Sequence, residues 1–209
     1  MVSEDKPFVF VIDDDVAIRD ALNGLIRSIQ LNVQTFSTTD EFLEFCLPDV
    51  PGCIVLDVRL PGLNGLDFQR ELIKSGIDLP VIFITGHGDV PMSVRAIKSG
   101  AIEFLTKPFR HQDLIDAIYL GIQRDRSQRQ ATAILSDIQA RFALLTARER
   151  QIMREVVTGR PNKQIAARLK LSEFTVKVHR SHVMQKMKAR SLVDLVRMAD
   201  TLQSEATTA

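Results

Sequence analysis

Five side chains able to handle a phosphoryl group or a cation stand where apolar runs stop. Asp13 and Asp14 follow Phe8-Val9-Phe10-Val11-Ile12, and Asp57 follows Cys53-Ile54-Val55-Leu56. Thr85 closes Val81-Ile82-Phe83-Ile84, and Lys107 comes just after Ala101-Ile102-Glu103-Phe104-Leu105. In an open parallel sheet, functional residues collect beyond the carboxyl ends of the strands. Three carboxylates gathered there would repel one another, which raises their pKa values or demands a cation. Hard oxygen donors suit Mg²⁺. A carboxylate held beside such a cation is a competent nucleophile toward phosphorus, forming an acyl phosphate. The Thr85 hydroxyl and Lys107 ammonium would stabilise the phosphoryl oxygens as charge develops. Singly, each residue has a plainer role: an acid pair favours a helix dipole, a threonine turns a chain, a lysine is solvated. The joint arrangement at successive strand ends favours a site.

The elements that must position these residues are legible as pattern. Fully apolar runs of four or five residues suit strands covered on both faces. Another strand, Val33-Gln34-Thr35-Phe36, second in chain order, is shorter and more polar. Helical spacing follows Asp15 (Ile18, Ala21, Leu22, Leu25, Ile29), and Ser37 to Leu47 also reads as a helix. Helices alternating with such strands argue for βαβ units and a parallel sheet. From Gln112 to Arg141 helical spacing continues through Leu114, Ile118, Ile122, Ile134 and Ile138, with Gln123 to Gln130 polar throughout. Such a polar stretch is either a solvated helix bridging two domains or a flexible linker, and one long helix, fraying at its end, is expected there. Beyond it, Thr146-Ala147-Arg148-Glu149 is a capping box, and Gly159 and Pro161 end that helix. Asn162 is expected to cap 163–169, Ser172 a helix to about Met187, and Ser191 a last helix to about Leu202. Two helices joined by the tight Lys170-Leu171-Ser172 turn have helix-turn-helix geometry. The organisation expected is 1–121, a helical linker 122–142, and an all-α domain 143–209.

The charge balance agrees with two parts. The 209 residues carry a net charge of +1. Yet residues 1–121 hold 10 Lys and Arg against 18 Asp and Glu, a net of −8, and residues 122–209 hold 17 against 8, a net of +9. Acidic and basic halves suggest different partners. Apolar runs such as Val81–Ile84 fall far short of the ~20 residues a membrane helix needs. The start, Met1 to Lys6, has no basic segment followed by an apolar one, so no secretory leader is expected. Cys46 and Cys53 are too few for a disulfide framework, and apolar neighbours suggest buried free thiols. A cytoplasmic protein without a membrane partner is the expectation.

Four segments together resemble the receiver domain of two-component response regulators: Ile12-Asp13-Asp14-Asp15, Leu56-Asp57 through Gly65, Thr85-Gly86-His87-Gly88, and Phe104-Leu105-Thr106-Lys107-Pro108-Phe109. The resemblance covers about Phe8 to Arg124. It implies a doubly wound, five-stranded, flavodoxin-like sheet of order 2-1-3-4-5. It makes Asp57 the phosphoacceptor, and Asp14, Asp57 and the backbone carbonyl of Arg59 the ligands of Mg²⁺, with Asp13 assisting; Mn²⁺ or Ca²⁺ could substitute. Thr85 and Phe104 become a switch pair, Lys107 binds the phosphoryl group, and the Lys107–Pro108 peptide is expected to be cis. Phe104 stands where many receivers carry Tyr, and Arg59 where others have Asn or Met. His87 and His111 are assigned to structure.

In the basic half, Thr175, Lys177, Val178, Arg180, Ser181 and Gln185 fall on the polar side of one helix, with Val176, Val183 and Met187 facing the core. Lysine and arginine suit guanine edges or phosphates, serine and glutamine adaptable hydrogen bonds, and Val178 a thymine methyl. Arg160, Lys163 and Lys186, with Asn162 at a helix start, suit phosphates. Phe174 is expected to pack against the preceding helix. Leu145 to Arg150, Asn162 to Ala166 and Ser172 to Lys186 resemble the LuxR-type helix-turn-helix. The whole chain looks like the FixJ/NarL class, closest to its FixJ-like branch. His179 matches a position usually His there, whereas His182 stands at a common Asn. The resemblance implies a phosphorylation-activated transcriptional regulator, expected to be an activator. Its partners would be a sensor histidine kinase, double-stranded promoter DNA, RNA polymerase and, on phosphorylation, a second copy. No enzyme activity is expected beyond self-phosphorylation and autodephosphorylation at Asp57. Two rivals are an aspartyl phosphatase or phosphotransferase, and an RNA-binding output. The first typically needs a second Asp two residues after the nucleophile, where Arg59 stands, and a cap domain that is not inserted here.

Overall fold

The structure is a computed structural model that describes residues 6–62, 64–86 and 90–206. His87 therefore lies outside the described residues. Contacts divide the chain into two units, 1–129 and 130–209.

The first unit is built on five parallel strands: β1 (Phe8–Ile12), β2 (Asn32–Phe36), β3 (Gly52–Asp57), β4 (Val81–Thr85) and β5 (Glu103–Thr106). Their order is β2-β1-β3-β4-β5. Side chains alternate across a sheet, so the fully apolar runs face two cores. Phe10, Ile12, Ile54, Leu56 and Phe83 meet Phe42, Phe68, Leu72 and Ala96 on one side. Val9, Val11, Cys53, Val55, Ile82 and Ile84 meet Leu22, Ile26, Leu114, Ile118 and Ile122 on the other. The first side is covered by α2 (Thr39–Glu44), α3 (Gly65–Lys74) and α4 (Val90–Lys98), the second by α1 (Val16–Ser28) and α5 (His111–Ala143).

Several expectations are corrected in detail. The helix expected over Ser37–Leu47 is only Thr39–Glu44, capped by Thr38, whose side chain accepts from Glu41 N–H. Phe45 turns extended (ψ 131°) and sets its ring tilted against Phe10 and edge to face with Phe36, and Pro48 disfavours helix at Leu47. The last strand starts at Glu103 rather than Ala101, because the Ala101 amide closes α4 by donating to the Ala96 carbonyl. Cys53 is buried, but Cys46 is exposed. The polar stretch Gln123–Gln130 is helical yet not solvated all round. Asp125 is buried and accepts from Gly52 N–H at 2.8 Å and from Arg129, which also reaches Asp49. That stretch thus begins as part of the first unit, and α5 continues to Ala143.

The second unit contains the end of α5, α6 (Ala147–Val156), α7 (Asn162–Leu169), α8 (Glu173–Lys186) and α9 (Leu192–Ala206). Ile138, Leu145, Ile152, Val156, Ile165, Val176, Val183, Met187 and Leu195 form its core. The capping box at Thr146 and Glu149 is present in both directions, and Ser172 caps α8. Ser191 accepts from Asp194 N–H at the start of α9. Asn162 does not cap α7. The cap position is Pro161, without a side-chain bond, and Asn162 Oδ1 instead accepts from Arg180. Lys170 makes the turn into α8 in the left-handed region (φ 53°).

Candidate functional site

Four adjacent strands deliver the first site. β1, β3, β4 and β5 end at Asp13-Asp14, Asp57, Thr85 and Lys107, and β1 and β3 flank the point where strand order reverses. The third aspartate in the Asp13-Asp14-Asp15 run does the capping: Asp15 accepts from the amides of Ala17 (2.8 Å) and Ile18 (3.4 Å). That leaves the first two carboxylates for the pocket. Asp13 is fully buried, with Oδ1 accepting from Asp15 N–H and its backbone carbonyl held by Arg19 at 2.7 Å. Asp57, nearly buried, accepts from Arg59 N–H at 2.9 Å. Lys107 Nζ donates to Asp13 Oδ2 and Asp57 Oδ2, both at 2.7 Å. The exposed Asp14 brings a third carboxylate, and oxygens of all three lie within 4.8 Å of one another.

One ammonium against three carboxylates leaves an excess of two negative charges, at a site made of hard oxygen donors. That donor set fits Mg²⁺. Burial pushes the Asp13 carboxyl pKa upward, outweighing the Lys107 ammonium and the Asp15 N–H, which pull it down. Burial opposes the charge on Lys107, yet its bonds to Asp13 and Asp57 hold its pKa above the ordinary value. Thr85 is fully buried at the end of β4, and its carbonyl accepts from Lys107 N–H at 2.7 Å. The Phe104 ring is half-buried, tilted against Phe83 at 6.3 Å. Lys107–Pro108 is cis, as expected.

Two supports of this pocket were not anticipated. Gly65 opens α3 directly behind Asp57, and a Cβ added there would sit 2.7 Å from the Asp57 carbonyl oxygen. Only glycine lets the two backbones approach so closely. Arg19, one turn into α1, fixes the Asp13 backbone.

The second site is the outer face of α8. Phe174, Val178, Ser181 and Gln185 recur at i, i+4, i+7 and i+11, one stripe of the helix. All four are exposed, Phe174 by 75%. Phe174 thus does not pack on α7, contrary to expectation; its spacing to Val178 was the available signal. Lys177 and Lys163 are exposed, and among the described residues no ion pair holds either. The other assigned residues are engaged within the unit. Thr175 bonds Ser172, Arg180 reaches Asn162, and Arg160 pairs with Glu155 and Thr158. Lys186 donates to the buried Glu149 at 2.7 Å. Burial would raise the Glu149 pKa, but Lys186, the Thr146 amide and the Thr146 hydroxyl bring it down to about 2.

The fold and these two sites are those of a receiver-type α/β unit followed by a helix-turn-helix unit. Residues 9–119 match the response regulator receiver domain, and residues 143–199 match the luxR family of bacterial regulatory proteins. The chain is 52% identical over 197 residues to nodulation protein W of Bradyrhizobium diazoefficiens, covering 94% of this chain and 87% of that protein. It is 42% identical over 195 residues to the transcriptional regulatory protein FixJ of the same organism, covering 93% and 95%. Among solved structures, the response regulator StyR aligns over 93% of this chain and 98% of its own at 47% identity, with a TM-score of 0.83. The chain belongs to the response regulators that couple a receiver to a LuxR-type helix-turn-helix, and it is a transcriptional response regulator of a two-component system. That architecture implies a histidine kinase and DNA as partners, and receiver domains generally use Mg²⁺. Among the described residues no helix is long and apolar enough to cross a membrane.

Proposed function

We propose that Asp57 accepts a phosphoryl group from the phosphohistidine of a sensor kinase, and that this switches DNA binding by α8. The histidine N–P bond breaks as a bond forms from an Asp57 carboxylate oxygen to phosphorus. Water later attacks that phosphorus and releases inorganic phosphate, which is the only turnover the chain performs. The observation that carries this reading is the Lys107 ammonium, 2.7 Å from the carboxylates of both Asp13 and Asp57, with Asp14 completing the cluster. Asp13, Asp14, Asp57 and the Arg59 carbonyl would hold the cation, Mg²⁺ or in its place Mn²⁺ or Ca²⁺; when bound it neutralises phosphoryl charge. Lys107 then exchanges a carboxylate for a phosphoryl oxygen, and the Thr85 hydroxyl turns to another. Phe104 follows inward.

The exposed face supports dimerisation on phosphorylation. Val90, Val94 and Ile97 make one apolar stripe on α4, and Tyr119 and Leu120 are exposed on α5. Apolar surface of this kind marks an association site, and a dimer would present two copies of α8 to a two-fold related site. Lys163 and Lys177, with Arg160, Arg180 and Lys186 once re-aimed, bind phosphates; Asn162, Thr175, Val178, Ser181 and Gln185 complete the contact surface. The regulator acts in the cytoplasm as an activator, through RNA polymerase.

Incubation with acetyl phosphate and Mg²⁺, followed by intact mass and promoter-DNA binding, tests the reading. Wild type gains one phosphoryl group and binds DNA more tightly, whereas Asp57→Asn gains neither. Equal DNA affinity for Asp57→Asn and phosphorylated wild type would overturn it.

A further inference from the structure

Glu149 is doing two jobs with one oxygen. Its Oε2 accepts from Thr146 N–H at 2.8 Å and from Lys186 Nζ at 2.7 Å. Oε1 faces the Nδ1 of His182, 3.7 Å away. One helical turn before His182, on the same side of α8, the Nδ1 of His179 is shielded from solvent and, among the described residues, has no hydrogen-bond partner. The two imidazoles stand edge to face, 6.3 Å between ring centres. One ligand atom from each of Glu149, His179 and His182 falls within 4.8 Å of the others.

We infer that these three residues form a site for a divalent transition ion of the zinc class, pinning α6 to α8. Two imidazoles and a carboxylate are the donors such an ion takes, unlike the all-oxygen cluster around Asp57. Tetrahedral ligands at ~2.0–2.1 Å from zinc lie roughly 3.4 Å apart. The present spacing therefore asks for a shift of about an ångström, and His182, half exposed, has room to make it. The ion would use Oε1 and leave Oε2 to the cap and to Lys186. It would give the buried His179 nitrogen the partner it lacks among the described residues. Lys186 sets a limit: its ammonium repels the incoming ion, so binding is weaker than at a purely anionic site of the same donors. A bound ion also adds positive charge at the flank of the stripe that carries Phe174 and Val178.

The test uses the full chain in millimolar Mg²⁺, which fills the carboxylate pocket around Asp57. Zn²⁺ is titrated against a chromogenic chelator, and Co²⁺ serves as the visible probe. Wild type is expected to bind one Zn²⁺, to give Co²⁺ the intense visible bands of a four-coordinate site, and to slow hydrogen exchange in α6 and α8. His182→Asn, a change at a half-exposed position, should lose at least the roughly 10–100-fold in affinity that even an outer-shell partner supplies. It should also lose the Co²⁺ bands while its circular dichroism stays that of wild type. In wild type the His179 imidazole ¹⁵N resonances should shift on adding Zn²⁺. Stoichiometric binding by His182→Asn with unchanged affinity, unmoved His179 resonances, or no binding by wild type would each overturn the site.

Discussion

Removing a carboxylate from the pocket around Asp57 should stabilise the protein and, on the reading proposed above, disable it together. Asp14 is the useful position, because it is exposed and, among the described residues, it holds no partner that its loss would strand. Its oxygens lie within 4.8 Å of those of Asp13 and Asp57. At that separation and an effective dielectric of about 40–80, each like-charge pair contributes about 1–2 kcal/mol. Lys107 offsets one of the two pairs, so Asp14→Asn should gain about 1–2 kcal/mol when divalent cations are removed. For a unit this large that is roughly 2–8 °C in melting temperature. With Mg²⁺ the order should reverse. A cation bound only by the folded state stabilises it by about 2.7 kcal/mol at a hundred times its dissociation constant, and Asp14→Asn has lost a ligand. Urea denaturation of the full chain in EDTA and in Mg²⁺, followed through the slowest-exchanging amides of β1 and β3, reads both effects. A variant less stable than wild type in EDTA, or one that gains as much from Mg²⁺, would refute the electrostatic account.

Three further outcomes follow from the geometry. Gly65→Ala places a methyl 2.7 Å from the Asp57 carbonyl oxygen; phosphorylation by acetyl phosphate should slow at least tenfold and stability drop by about 1–3 kcal/mol, measured by intact mass and denaturation. Glu149 has its pKa held at about 2, below the ordinary 4.5, so its stabilisation is complete above about pH 4.5 and is lost as pH falls toward 2. Lys186→Met should therefore destabilise α6–α9 by about 2–3 kcal/mol at pH 7, with the gap to wild type shrinking below about pH 4.5 and closing only near pH 2; a gap as large near pH 2 as at pH 7 contradicts the assignment. Lys177→Ala should weaken DNA binding on every sequence and lower the salt slope by about one, whereas Phe174→Ala should weaken only thymine-containing sites, by about 1–2 kcal/mol; filter binding across salt and sequence separates them.

Strand ends were readable because β1, β3 and β4 are buried on both faces, so their apolar runs stop where chemistry starts. Asp13, Asp14, Asp57, Thr85 and Lys107 could be named from that rule alone, and strand order came from resemblance to a family. What escaped was set by contacts between distant segments. Nothing near Gly65 announces that α3 begins against the Asp57 carbonyl, and nothing near Asp125 that its carboxylate meets Gly52. Polarity misled at Gln123–Gln130, which looked solvated although Asp125 is buried, and it gave no sign that Glu149 engages Lys186. Phe174 failed in the opposite sense, because an aromatic side chain suggests packing whereas its helical phase faces it outward.

The strand that carries Asp57 is anchored at both extremities. Asp125 grips the Gly52 amide where β3 begins, and Gly65 abuts the backbone where it ends. On the reading proposed above, a strand tied at both ends resists being tipped when a phosphoryl group forms on Asp57. On one flank β1 is pinned by Arg19 and the Asp15 cap. On the other, β4 leads to β5, an edge strand whose four residues are all at least partly exposed. Of the two edges the β5 side is the more exposed, and it adjoins α4, where the apolar stripe lies.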